Sequence, residues 1–159
     1  MEQMVKDQYL SRYNGEWPEL EVNEVATRVA IGAINYGMLK MDTNKKIVFD
    51  MTEWLKLDGE SGPFIQYSYA RIRSLVAKVS GVANVPGKES IVVNLETTQW
   101  DLLKEPAERV LAAALMHFNS TVVSSAETYK PSTLCTYLYE LAKKFNSFYH
   151  DCAIAKAAS

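Results

Sequence analysis

Residues 62–74 interleave aromatic rings with arginines: Gly62-Pro63-Phe64-Ile65-Gln66-Tyr67-Ser68-Tyr69-Ala70-Arg71-Ile72-Arg73-Ser74. On a helix, Phe64, Tyr67 and Arg71 share one stripe (i, i+3, i+7), and Tyr69 and Arg73 share another (i, i+4). Unstacked nucleic-acid bases need such neighbours. The ring offers a stacking plane, and the guanidinium offers phosphate contacts and cation–π stacking. An apolar core uses the same spacing, so periodicity alone leaves both uses open. A second stretch, 137–152, combines an apolar face of Leu138, Leu141, Phe145 and Phe148 with the polar tips of Asn146, Tyr149 and His150. Lys143 and Lys144 put positive charge beside them, although a solvated helix face would use the same lysines.

Other chemistry is not expected. The sequence has no Gly-rich phosphate loop and no Cys/His cluster with zinc-ligand spacing. His150, Asp151 and Cys152 are consecutive. Adjacent helix residues point in different directions, so the three do not converge on a metal or on one reacting atom. They read as a helix end. Neither catalytic residues nor metal ligands are expected.

The elements that must position these residues are helical. Residues 1–12 suit a helix entering from elsewhere, broken by Asn14-Gly15 and Trp17-Pro18. Apolar residues recur at helical spacing over 22–39, where the small residues Ala30, Gly32 and Ala33 would let another helix approach closely. Residues 42–46 read as a turn and Ile47-Val48-Phe49 as a short extended piece. Thr52 is the expected cap of a short helix through Leu57. Pro63 suits the first residue of a helix running through Lys78 and ending near Ser80-Gly81. Residues 81–98 read as a long connection, with a brief strand at Ile91-Val92-Val93. Pro106 should open a helix through Phe118, another should run from Ser120 or Thr121 to about Thr128, and Pro131 should open the last. The fold class is all-α, an antiparallel helical bundle with one long loop around 81–98.

Composition agrees. At 159 residues the chain can bury a core without staples, and its 48% apolar and 23% charged residues argue against disorder. Two cysteines, Cys135 and Cys152, are too few for a disulfide framework and fit a reducing, cytoplasmic setting. No apolar run approaches membrane-spanning length. A net charge of −2 disfavours nucleic acid on its own, but binding needs only a local basic strip.

Four segments together resemble the C-terminal region of arginyl-tRNA synthetases. Residues 62–74 resemble their G-P-[YF]-[LI]-Q-Y-x-x-A-R-x-x-S segment. Residues 137–152 resemble Y-L-Y-[ED]-L-A-x-x-F-[NS]-x-F-Y-[HD], Val29 to Tyr36 resemble V-G-[IV]-[GA]-A-[IV]-K-Y, and Ile47-Val48-Phe49-Asp50 resemble [IV]-x-F-[DN]. They occur in family order. The resemblance implies a bundle of the class I synthetase anticodon-binding type, called the DALR domain, over 63–159. It implies that 1–62 are linker helices following the catalytic core. It further implies tRNA(Arg) as partner, with ATP and magnesium used by a catalytic domain absent from this chain. By the same resemblance Phe64, Tyr67, Arg71 and Tyr149 are the anticodon-binding positions, with Tyr69, Arg73, Lys143, Asn146 and His150 as secondary tRNA candidates. Glu60 stands where the family usually has Asn. Lys40-Met41-Asp42 resembles the ATP-contacting Lys-Met-Ser-Lys loop, but Asp42 would repel phosphate there, so it reads as a helix end. The chain is expected to be truncated at both ends. The alternative expectation is a helical protein-interaction or scaffold fragment that no longer binds tRNA and that could pair as a homodimer. Steep salt dependence would separate phosphate contacts from such an apolar interface.

Overall fold

Prolines and short polar side chains start most of the helices in the computed structural model, which describes residues 1–13, 15–80, 96 and 99–152. Helix α1 (Glu2–Val5) continues through a π turn (Lys6–Leu10) and a 3₁₀ turn (Ser11–Tyr13). Helix α2 (Glu19–Leu39) starts three residues earlier than the apolar pattern predicts. Pro18, at φ −57° and ψ 141°, occupies the cap position, and Glu19 and Glu21 in the first turn suit the positive end of the helix dipole.

The cap of α3 (Met51–Trp54) is Asp50, not Thr52. Its carboxylate accepts the backbone N–H groups of Thr52 at 2.9 Å and Glu53 at 3.1 Å, and the helix ends at Trp54 instead of Leu57. A carboxylate at the cap makes a charge-assisted bond that a hydroxyl two residues later cannot match. Leu55 then drops into the core, fully buried with Val5, Ala26, Ala30 and Ala33. The Tyr9 hydroxyl donates to the Leu55 carbonyl.

Helix α4 (Gly62–Ser80) opens one residue before Pro63. Ser61 accepts the Phe64 N–H at 3.2 Å and donates to the Lys56 carbonyl. Glu105 and Glu108 form a reciprocal capping box at the start of α5 (Pro106–Met116). Helix α6 (Phe118–Thr128) begins at once, with His117 as the only joint, so the predicted start at Ser120 or Thr121 falls two or three residues late. Both of those hydroxyls bond back to the His117 carbonyl, which is why they resemble caps in the sequence. Tyr129, left-handed at φ 53°, ends α6, and Pro131 opens α7 (Pro131–Asp151).

Helix α4 packs on α2, and α7 packs against α4, α5 and α6. The expected all-α bundle is therefore present. Among the described residues there is no strand, and Ile47-Val48-Phe49 is irregular. The expected loop around 81–98 lies outside the described residues, Glu96 excepted. No helix among the described residues is long and apolar enough to cross a membrane.

The close helix approach expected at Ala30, Gly32 and Ala33 is made to α4 at Gly32, while both alanines are buried in the core. The end of α2 reads correctly as a helix end: Lys40 donates from its backbone N–H to Tyr36 and from Nζ to the Glu60 carbonyl at 2.7 Å. Asp42 lies 3.6 Å from Lys130, which holds its carboxyl below the ordinary range.

Tyr36 locks α2 to α7. Its hydroxyl donates to the Cys135 carbonyl at 3.0 Å and lies 3.4 Å from the Glu60 carboxylate. Burial first, then the Glu60 charge, raises the phenol far above its ordinary 10.0. The folded state therefore keeps a proton that the unfolded state releases. Stability is unaffected below the ordinary value and falls as pH rises through it. Burial and Asp58 raise Tyr9 in the same direction. Tyr36→Phe should cost about 1 kcal/mol near neutrality through the lost hydrogen bond. It should also reduce the stability lost above about pH 10, as measured by urea melts on either side of that pH. An unchanged alkaline slope would show that Tyr36 does not carry the effect.

Candidate nucleic-acid interface

The two aromatic-bearing stretches meet where α4 crosses α7. Arg71 projects from α4 between two tyrosines, its guanidinium carbon 4.7 Å from the Tyr67 ring centre and 4.9 Å from that of Tyr149 on α7. Nη2 donates to the Tyr67 hydroxyl at 2.8 Å, and Nη1 donates to Asn146 Oδ1 at 2.9 Å. Asn146 Nδ2 donates to Ser68 Oγ at 3.0 Å, and Ser68 donates to the Phe64 carbonyl at 2.9 Å. Phe145 lies beneath Tyr149 at 6.0 Å and anchors it to the core. Tyr67 is 45% exposed and Tyr149 38%, so the stack reaches solvent while Arg71 is held within it.

This arrangement can offer aromatic planes to bases and a fixed cation to a phosphate or base edge. The guanidinium has more donors than its two bonds use. Its rigidity matters because ordering a free arginine on binding carries an entropic cost.

The structure joins Tyr67, Arg71, Tyr149 and the secondary candidate Asn146. The Phe64 ring turns instead to Tyr139, 5.5 Å away, and is half-buried between the helices. Lys143 lies over the other aromatic partner, 5.3 Å from the Tyr139 ring centre, and also pairs with Glu140 at 3.2 Å. Lys144 approaches the same carboxylate at 3.8 Å, so Glu140 offsets much of the local positive charge. Tyr69 is exposed and Arg73 half-buried. His150 faces Asp151, with Nδ1 2.9 Å from Oδ1, at the end of α7 where a helix end was expected. Among the described residues no group of three or more His, Cys, Asp or Glu is placed to hold a metal ion.

Sequence reasoning passed over Ser68 and Tyr139. The signal for each was spacing. Ser68 lies on the stripe of Phe64 and Arg71 (i, i+4, i+7), and Tyr139 on that of Lys143 and Asn146.

A family model described as the DALR anticodon binding domain matches residues 65–159. An arginine–tRNA ligase from Bdellovibrio bacteriovorus is 56% identical over 158 residues, which cover 99% of this chain and 25% of the relative. The solved Thermus thermophilus arginyl-tRNA synthetase is similar at a TM-score of 0.69 and 30% identity, over 93% of this chain and 22% of that one. The Plasmodium falciparum arginyl-tRNA synthetase, with a TM-score of 0.75 and 21% identity over 99% of this chain and 27% of its own, shares the fold. The chain spans about a quarter of the length of the relatives it matches.

Proposed function

This chain belongs to the family of DALR anticodon-binding domains, and from that membership we propose that it grips the anticodon of tRNA(Arg) as part of a cytoplasmic arginine–tRNA ligase. Residues 63–159 form the reading domain, and 1–62 lead in from a catalytic domain. That domain activates arginine with ATP and magnesium, while the present helices hold the far end of the tRNA so that its acceptor end is placed for charging. The ring–guanidinium–ring stack of Tyr67, Arg71 and Tyr149 carries the reading. Splayed anticodon bases stack on the tyrosines, Phe64 extends the apolar wall, and Arg71 meets backbone or a base edge. The family match does not favour the scaffold reading.

The test is binding of the full 159-residue chain to tRNA(Arg) and to a non-cognate tRNA at low and moderate salt. Cognate preference should weaken with salt. Tyr67→Ala, Tyr149→Ala and Arg71→Ala should each lose roughly tenfold in affinity, and Arg71→Ala should also reduce the salt slope by about one. Folded variants that bind like the parent would sink the proposal.

A further inference from the structure

We propose that Ser68 and Asn146 are positioning residues for Arg71: together they orient its guanidinium without touching RNA. The inference builds on the anticodon reading, but its physical core can be tested without RNA.

Hydrogen-bond direction carries the argument. Arginine can only donate, so the atom that meets Arg71 Nη1 must be the Asn146 oxygen, 2.9 Å away. The Asn146 nitrogen then points the other way and must find an acceptor, which is Ser68 Oγ at 3.0 Å. A serine hydroxyl accepts there without competition only if its one proton goes elsewhere. Ser68 gives that proton to the Phe64 carbonyl at 2.9 Å, a bond one helical turn back. The chain runs in a single direction from guanidinium to backbone, and reversing any member breaks two bonds. At 2% exposure, Ser68 is buried within α4 and water has little access to substitute for its hydroxyl. The Asn146 amide is therefore pinned to the rigid backbone of α4. In turn it holds the guanidinium between the rings of Tyr67 and Tyr149.

A serine inside a helix does not improve its helicity, and a half-buried asparagine on an apolar helix face does not improve its packing. Both are accounted for once the pair is seen as the support that fixes which way the cation faces between its two rings. Tyr67 holds the guanidinium from the same helix. Only Asn146 ties it by a hydrogen bond to α7 among the bonds described for it.

The experiment compares Ser68→Ala, Asn146→Ala, Arg71→Ala and the two double variants with the parent chain. The first readout is the NMR of the Arg71 guanidinium without RNA. The second is affinity for an anticodon stem–loop RNA bearing an arginine anticodon. In the parent the guanidinium N–H signals should be resolved, and in both single support variants they should broaden or merge. Each support variant should bind RNA roughly fivefold to tenfold more weakly. On the Arg71→Ala background, either support change should add less than about twofold, because its effect passes through the missing arginine. Unchanged guanidinium signals in Ser68→Ala would overturn the proposal, and so would losses that simply multiply with that of Arg71→Ala. Should Arg71→Ala itself leave RNA binding intact, the anticodon reading fails, and the RNA-free signals still decide whether Ser68 and Asn146 hold the arginine. A variant that loses its helical circular dichroism is replaced by Asn146→Asp. This variant keeps the acceptor for Arg71 but has no donor for Ser68 Oγ, so its guanidinium signals should broaden as in Ser68→Ala, and signals as sharp as the parent's would overturn the proposal.

Discussion

Gly62→Ala should lower the unfolding free energy by about 3 kcal/mol, at the upper end of what overpacking costs. Gly62 is buried at the first turn of α4. A Cβ there would collide with the carbonyl oxygen of Gly32 on α2 and would lie 2.9 Å from the backbone nitrogen of Ala33. Both atoms belong to a helix backbone and cannot swing aside as a side chain can. Relief requires moving α4 away from α2. That movement pulls on the bond from Gln66 to the Arg28 carbonyl, 3.1 Å long, and on the Ser61 cap. Since α4 carries Tyr67, Ser68 and Arg71, the same movement should disturb the stack with α7 and weaken RNA binding at temperatures where the variant is still folded. Gly59→Ala is the control. Its nearest neighbour would be Lys56 Cβ at 4.0 Å, an ordinary contact. It should change stability by less than about 0.5 kcal/mol. Urea melts of both variants decide the matter. A loss for Gly62→Ala no larger than that of the control would mean that α2 and α4 are not held this close.

Leu55→Ala should cost about 3–5 kcal/mol, the range for emptying a fully buried leucine site. Leu55 is 0% exposed and fills the space between Val5 and the small faces of Ala26, Ala30 and Ala33. Alanines on a rigid helix have no longer side chain to swing into the void, so the cavity should persist and the cost should approach the upper end. The position differs from Gly62 in its effect on function. The core of Leu55 lies among α1, α2 and the end of α3, away from the α4–α7 stack. A stability loss with RNA affinity preserved is therefore expected when binding is measured well below the melting temperature. Leu20→Ala, at a side chain 83% exposed, should be nearly silent by comparison. If Leu55→Ala melted within about 1 kcal/mol of the parent, the lead-in core would be less tightly packed than its burial implies.

Much of this molecule is legible in its sequence where the governing rules are local. Pro63, Pro106 and Pro131 mark helix starts because a residue without an N–H loses nothing in a first turn. The apolar faces of α2 and α7 follow from the 3.6-residue period, and Tyr67 and Arg71 were found because they lie one turn apart on one helix. Local signals misled where two neighbouring residues could serve the same purpose. Asp50 and Thr52 both cap helices, and the charge-assisted bonds from the N–H groups of Thr52 and Glu53 go to the aspartate. Ser120 and Thr121 resemble a start because their hydroxyls bond one turn back, within a helix already begun at Phe118.

By itself the sequence determined the all-helical content, most helix boundaries to within a turn, and the chemical character of a candidate site built from rings and arginine. Tertiary structure alone decided how that site is assembled. Arg71 and Asn146 are 75 positions apart, and nothing in either helix's own periodicity specifies which turn of α7 lies opposite which turn of α4. That register follows from the shapes of both buried faces, with α4 held close to α2 at Gly32 and Gly62 and α7 tied to α2 by Tyr36. It places Tyr149 over Arg71, sends Phe64 to Tyr139, and gives Ser68 a partner 78 residues away. Helix formation depends on neighbours within about four residues. A binding site depends on which faces meet, and those contacts exist only once the chain has packed.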